Sequence, residues 1–207
     1  MASVTILDYK MGNLTSVANA FASVGAEVRI AASPAELRDA DRIVLPGVGA
    51  FGEGMKHLTE LGFTAPLREE VMNKKKPFLG ICLGMQVLAE RGFEFGDHAG
   101  LGWIPGQVKK LEAGTLRIPH VGWNNLKLVN PNPLFDGIPQ EIDFYFVHSF
   151  HFETAEQGNV SAVCGYGQDF TAAVAQGNIF GVQFHPEKSQ KAGVRLLQNF
   201  LSLGTAS

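Results

Sequence analysis

Lys76-Pro77-Phe78-Leu79-Gly80-Ile81-Cys82-Leu83-Gly84-Met85-Gln86 passes from three lysines into an apolar run and reaches a cysteine bracketed by glycines. It then takes on a helical pattern through Met85, Gln86, Val87, Leu88, Ala89 and Glu90. A short buried strand running directly into a helix leaves a sharp turn between them, and Cys82 sits on that turn. Such a turn holds a side chain out over a sheet edge and leaves backbone N–H groups at the helix start free to bind developing negative charge. Gly80 and Gly84 suit it because packing this close to a tight turn excludes a Cβ. A thiol at a helix N-terminus also ionises more readily to the nucleophilic thiolate. Most free cysteines are small buried core residues instead; the glycine bracket is what favours a nucleophile.

On the N-terminal side, Val4 to Leu7 reads as a strand, and Leu14 to Val24 as a helix with apolar residues at 14, 17, 18, 21 and 24, closed by Gly25. Glu27 to Ile30 is a second strand. Strand, helix and strand within about thirty residues make a parallel βαβ unit. Ser33-Pro34-Ala35-Glu36 opens a short helix with serine at the N-cap, proline at N1 and glutamate at N3. Arg42 to Leu45 is a third strand. It runs into Pro46-Gly47-Val48-Gly49-Ala50-Phe51-Gly52-Glu53-Gly54, a flexible backbone where open α/β sheets bind ligands. No Gly-Lys-Ser/Thr ending follows, so this is not a phosphate loop. Leu58 to Asn73 is expected to be helical and split by Pro66, Lys74 to Lys76 to be a solvated helix end, and Gly92 to close the helix after Cys82.

The second half adds β-structure. Asp143 to Phe152 is a single strongly β-forming stretch, and Val160 to Tyr166 and Thr171 to Phe184 read as successive strands with a hairpin turn at Gln176-Gly177-Asn178. A last helix from Gln190 to Leu201 carries Val194, Leu197 and Leu201 on one face. The expected fold is α/β: a mostly parallel central sheet flanked by helices, with added antiparallel strands in the second half. Residues 1–203 read as one domain and 204–207 as a flexible polar tail.

Composition narrows the function classes. Of 207 residues, 45% are hydrophobic and 18% charged, and the net charge of −3 gives no reason to expect nucleic acid or an acidic membrane as partner. No apolar run approaches the ~20 residues needed to span a bilayer. The first residues lack a basic region and run straight into a strand, so no signal peptide is expected. Cys82 and Cys164 are expected to be reduced, in a cytoplasm, with Cys164 in the core. No zinc-ligand spacing is present, and no metal or other cofactor is expected.

A thiol amidase needs a thiolate, an imidazole to shuttle the proton and a group to orient the imidazole. Among six histidines, His185 stands out, because Glu187 lies two residues on across a stiff Pro186 at the end of a strand. A strand-end histidine beside a helix-start glutamate is common in itself; in company with the Cys82 turn the catalytic reading is the better one. Gly80-Ile81-Cys82-Leu83-Gly84-Met85-Gln86 and His185-Pro186-Glu187 resemble the signatures of class I (triad-type) glutamine amidotransferases, whose fold is flavodoxin-like. Pro46-Gly47-Val48-Gly49 is similar to that family's oxyanion strand. Pro119 to Asn124 and Tyr145 to Phe150 resemble the branch of the family that serves histidine biosynthesis.

The resemblance implies Cys82 as nucleophile, His185 as proton shuttle and Glu187 as its orienter. It implies an oxyanion hole from the Val48 and Leu83 N–H groups, and L-glutamine held by Gln86, the Gly49 backbone and the backbone of His148, Ser149 and Phe150. Phe150 stands where the family often has tyrosine, so only a backbone role carries over there. The resemblance also implies a heterodimer with a (β/α)₈-barrel cyclase subunit that consumes the ammonia, with Asn13, Trp123, Asn124 and Lys188 as interface candidates. Three other readings stay open: another class I amidotransferase, a cysteine protease of the same broad fold, and a non-catalytic module that has kept the fold.

Overall fold

Short apolar segments alternating with helices set the frame. In the computed structural model, which describes residues 2–204, β1 (Ser3–Leu7), α1 (Leu14–Ser23) and β2 (Glu27–Ala31) form the first parallel unit, with Ser3 opposite Glu27 and Leu7 opposite Ala31. The Asn13 side chain caps α1 by accepting from the Ser16 N–H, and Gly25 follows its end at a left-handed φ of 86°. A 3-10 turn over Pro34–Asp39, with Glu36 accepting from the Ser33 N–H, leads to β3 (Ile43–Gly47). Then come α2 (Phe51–Glu60), α3 (Thr64–Arg68), β4 (Phe78–Cys82) and α4 (Leu83–Gln86). The tail expected at 204–207 lies, from 205 onward, outside the described residues.

The remaining strands are β5 (Arg91–Gly92), β6 (His98–Ala99), β7 (Gly106–Lys110), β8 (His120–Asn125), β9 (Lys127–Leu128), β10 (Asp143–His148), β11 (Phe150–Thr154), β12 (Val160–Tyr166), β13 (Gln168–Gln176) and β14 (Ile179–Val182), before α5 (Gln190–Ser202). The main sheet runs β2-β1-β3-β4-β14-β13-β11-β7-β5-β6, with β12 and β9 joined beside β13. Its first five strands pair in parallel, and β14 joins the antiparallel extension through β13. Alternate residues of the parallel strands enter cores on opposite faces. Ile6, Val44 and Leu79 meet Phe21 of α1 and Phe200 of α5; Leu7, Leu45 and Phe78 meet Phe51 of α2 and Leu67 of α3.

Several expectations are corrected. The helix after Cys82 is a single turn, and Gly92 lies in β5 rather than at a helix end. The carbonyls of Val87, Leu88 and Ala89, which a longer helix would use, accept N–H groups from Leu101, Trp103, Ile104 and Gly102 of a returning loop. The helical stretch begins at Phe51 and breaks around Gly62; Pro66 sits in the first turn of α3, where its missing N–H costs nothing. Two glycines of the supposedly flexible loop, Gly52 and Gly54, are helical. The aromatic stretch at 143–152 is two strands in two different sheets, divided at Ser149. Lys74 and Lys76 are not simply solvated, since both pair with the buried Glu70 carboxylate, at 2.8 and 2.7 Å. Val194 is 40% exposed, and α5 buries Leu196, Leu197, Phe200 and Leu201 instead.

β8 and β10 form a separate antiparallel ribbon with His120 opposite His148. Both rings are buried, and His120 stacks on Tyr166 at 4.0 Å and on Phe146 at 4.9 Å. His148 Nδ1 lies 2.9 Å from the Phe150 carbonyl oxygen, which can only accept, so Nδ1 carries the proton and Nε2 of the neutral ring accepts. His120 Nδ1, 3.0 Å from that Nε2, must therefore donate. Burial pushes His120 down to about 4 and, as the first cause, His148 down to about 3.

Two outcomes follow. A Cβ at Gly84 would overlap the Leu45 carbonyl oxygen, so Gly84→Ala is expected to cost about 3 kcal/mol, read as an earlier urea midpoint. Below the ordinary histidine value of ~6.5 the unfolded chain takes up protons that the folded pair refuses, so stability is lost as pH falls from there toward ~4. Melting temperature is expected to drop over that range, and less steeply in His120→Phe; identical slopes would show that the pair is not held neutral.

Candidate active site

Cys82 ends β4 with φ 54° and ψ −109°, a sparsely populated conformation for a residue with a side chain. Packing holds it there. A Cβ on Gly80 would overlap the Gly84 carbonyl, and one on Gly84 would overlap that of Leu45, so the backbone after Cys82 lies directly against β3 and β4. With α4 only one turn long, little helix dipole acts on the sulfur. What remains are the N–H groups opening that turn, which have no intrahelical partner.

His185 follows β14 on the neighbouring strand. Its N–H bonds to the Tyr145 carbonyl at 2.9 Å, and its own carbonyl accepts from the Ser189 hydroxyl at 2.6 Å. Ser189 Oγ also accepts from the Tyr145 N–H at 3.0 Å, so this buried serine ties the turn to β10. Nδ1 of His185 lies 2.8 Å from Glu187 Oε1, and both side chains are nearly inaccessible. Burial works against charge on this imidazole, but the neighbouring Cys82 sulfur and the Glu187 carboxylate override it, and His185 is pushed up to about 9. Glu187 therefore fixes which nitrogen faces the carboxylate and leaves Nε2 for chemistry.

A cavity of about 440 Å³ opens over these groups, lined by Val48, Gly49 and Ala50 after β3, by Cys82, Leu83 and Gln86, by residues 147–150, and by His185 and Lys188. Gly49 holds a left-handed φ of 103°, which leaves the adjoining peptides able to face the cavity. Both Gln86 Nε2 hydrogens are engaged, with the Phe150 carbonyl at 2.9 Å and Gln183 at 3.0 Å, so Gln86 offers a ligand only its oxygen. A wider groove of about 830 Å³ beside α2 and α3 holds neither a cysteine nor His185.

Cys82, His185 and the expected oxyanion and glutamine-binding positions thus line one cavity, while Glu187 lies buried behind His185 and off the cavity wall. The expected interface residues divide. Lys188 reaches the cavity and sits 5.6 Å over the Tyr145 ring. Trp123 is 46% exposed on the ribbon, edge-on to Tyr145 at 5.8 Å. Asn124 donates to the Gly165 carbonyl, and Asn13 caps α1. Sequence reasoning passed over Gln183, Ser189 and Glu94. Glu94 lines the cavity and accepts from the Phe51 N–H at 3.0 Å. Gln183 had a signal, since it stands two residues before His185 and so on the same side of an extended chain.

Comparison with known proteins finds relatives over nearly the whole chain. Residues 5–203 match the family model for glutamine amidotransferase class-I. The chain is 51% identical to imidazole glycerol phosphate synthase subunit HisH 1 of Campylobacter jejuni, over 97% of this chain and 100% of that protein. It is 45% identical to the HisH subunit of Sulfurimonas denitrificans, over 95% and 96%. Among solved structures, PurLQS from Thermotoga maritima superposes with a TM-score of 0.78 at 20% identity, covering 96% of this chain and 97% of that one. A structure described as a glutamine amidotransferase superposes with a TM-score of 0.76 at 20% identity, covering 97% and 99%. With nearly the whole chain matched in both ways, it belongs to the class I glutamine amidotransferases, in the branch of the HisH subunits.

Proposed function

We infer that this chain is the glutaminase subunit of an imidazole glycerol phosphate synthase, hydrolysing L-glutamine to glutamate and ammonia. The observation that carries the reading is the single cavity at which Cys82, His185, Gln86, Gly49 and residues 148–150 converge. The Cys82 thiolate attacks the side-chain amide carbon, forming the C–S bond. The resulting oxyanion is held by the Val48 and Leu83 N–H groups, of which each is worth roughly 3–4 kcal/mol in such sites. His185 gives its proton to the leaving nitrogen, the C–N bond breaks, and ammonia departs. His185 then takes a proton from water, whose oxygen displaces the sulfur from the thioester and frees glutamate. Glu187 keeps the imidazole oriented and supports its charge throughout. The Gly49 backbone, the Gln86 oxygen and the backbone of 148–150 hold the glutamine.

The ammonia passes to a (β/α)₈-barrel cyclase subunit in a heterodimer, which forms imidazole glycerol phosphate and an aminoimidazole carboxamide ribotide. The ribbon face with Trp123 and Tyr145, and Lys188 over the Tyr145 ring, suits that docking, because an exposed tryptophan is a frequent interface anchor. Asn124 and Asn13 are further candidates there. The glycines at 47 and 49 allow the Val48 peptide to turn into line only when the cyclase holds its ligand. Residues 1–203 act as one amidotransferase domain. The free cysteines fit a reducing compartment, which the reading takes to be the cytoplasm.

Glutamate release is expected to be slow for the chain alone and strongly stimulated by cyclase plus its nucleotide ligand. Cys82→Ala should lower it by about 10⁴-fold or more; stimulated activity surviving that change would sink the assignment of the nucleophile. Trp123→Ala is expected to weaken cyclase binding by about 2 kcal/mol, measured by titration calorimetry, while leaving alkylation of Cys82 in the free chain unchanged.

A further inference from the structure

One buried polar chain reaches the reacting sulfur from behind. Gln86 Nε2 stands 2.9 Å from the Phe150 carbonyl oxygen and 3.0 Å from the Gln183 side chain, and the far end of Gln183 lies 3.6 Å from Cys82 Sγ. The orientation of a side-chain amide is normally an assignment from its neighbours, and here the neighbours leave no freedom. A carbonyl oxygen can only accept, so the Gln86 atom facing Phe150 is its NH₂ group. That same group faces Gln183, so the Gln183 atom it meets is the oxygen. The NH₂ of Gln183 is then left pointing at the sulfur. Gln183 has no exposed surface, so turning its amide over would set donor against donor with no solvent to relieve it.

A second polar atom near Cys82 acts the opposite way. The Val147 carbonyl, 3.9 Å from Sγ, can receive only an S–H and so favours the neutral thiol. The Gln183 N–H favours the thiolate. His185, backed by Glu187, faces the sulfur from the next strand; the buried Tyr9 hydroxyl, held neutral by burial and by the sulfur's charge, lies beyond β1; and His148, Lys188 and Glu94 stand in the cavity wall.

We propose that Gln183 is a positioning residue for the nucleophile: its amide N–H donates to the Cys82 sulfur and stabilises the negative charge the sulfur carries as it attacks, and the Phe150 carbonyl sets that polarity through Gln86. Residue 150 thus acts through its carbonyl oxygen, whatever its side chain. The proposal rests on the reading of Cys82 as nucleophile.

Two variants of the full chain test it. Gln183→Glu keeps an acceptor for Gln86 and turns an oxygen toward the sulfur; Gln183→Met keeps the bulk and removes both polar ends. The readout is the rate of iodoacetamide alkylation at Cys82 against pH, followed on the Cys82 peptide because Cys164 is also free. Near neutral pH both variants are expected to react ~10-fold more slowly or worse, as loss of a hydrogen bond to a charged group implies. The profile should move to higher pH, furthest in Gln183→Glu, and in that variant kcat for glutamine should fall while KM holds. A wild-type alkylation profile in folded Gln183→Glu overturns the proposal, and this variant decides alone if Gln183→Met does not fold. Glutaminase activity that survives Cys82→Ala would instead remove the functional reading, while the alkylation profiles would still judge the contact between Gln183 and the sulfur.

Discussion

The approach of two backbones without a side chain between them governs this molecule. Gly84 lies against the Leu45 carbonyl, and Gly80 against Gly84. That closeness lets the chain reverse from β4 into a one-turn helix within the thickness of the sheet. It forces Cys82 into a conformation that an unsupported residue would leave at once. The strain is tolerable because β4 is fully buried and paired in parallel on both sides, with β3 and β14. The same pairing brings the ends of those neighbours, with Val48 on one and His185 beyond the other, to either side of the sulfur.

Around this elbow the protein places polar groups at low solvent exposure and links several of them in series. His120 donates to His148, His148 to the Phe150 carbonyl, and Gln86 to that same carbonyl and to Gln183. Every link is directional because the carbonyl at its centre has lone pairs and no proton. A buried network with one fixed polarity is costly to break and has one arrangement. The His185–Glu187 pair obeys a different rule. It sits at the cavity, where the sulfur and carboxylate raise the imidazole's proton affinity, whereas His120 and His148 lie among aromatic rings that lower theirs. Three histidines within one fold thus have different proton affinities because of what surrounds them.

Much of this was legible from residue pattern. The parallel strands announce themselves as short apolar runs, and Cys82 between Gly80 and Gly84 marks its turn, because only glycine fits so close to a neighbouring backbone. His185 with Glu187 was legible since the two are adjacent in the chain. What escaped were features made by distant segments. The length of α4 is set by a loop some fifteen residues on, whose N–H groups take the helix's carbonyls. Pro66 looked like the breaker, but a proline in a first helical turn is harmless, and Gly62 marks the break instead. Lys74 and Lys76 look like a solvated end until Glu70 is found buried beneath them. Gln183, just past the apolar strand β14, has only its spacing from His185 as a label, because its role depends on an amide and a carbonyl more than thirty residues upstream.

Ser149 separates β10, which belongs to the ribbon, from β11, which belongs to the main sheet. A chain that changes sheets across one residue has no slack to absorb displacement. The ribbon is therefore mounted like a lever on a rigid frame, its outer face carrying Trp123 and its pivot being the backbone that walls the cavity. The inner face of the ribbon is keyed into a core through Phe144 and Phe146, so the outer face and the wall beside the sulfur, where the Val147 carbonyl lies 3.9 Å from Sγ, are two sides of one strand.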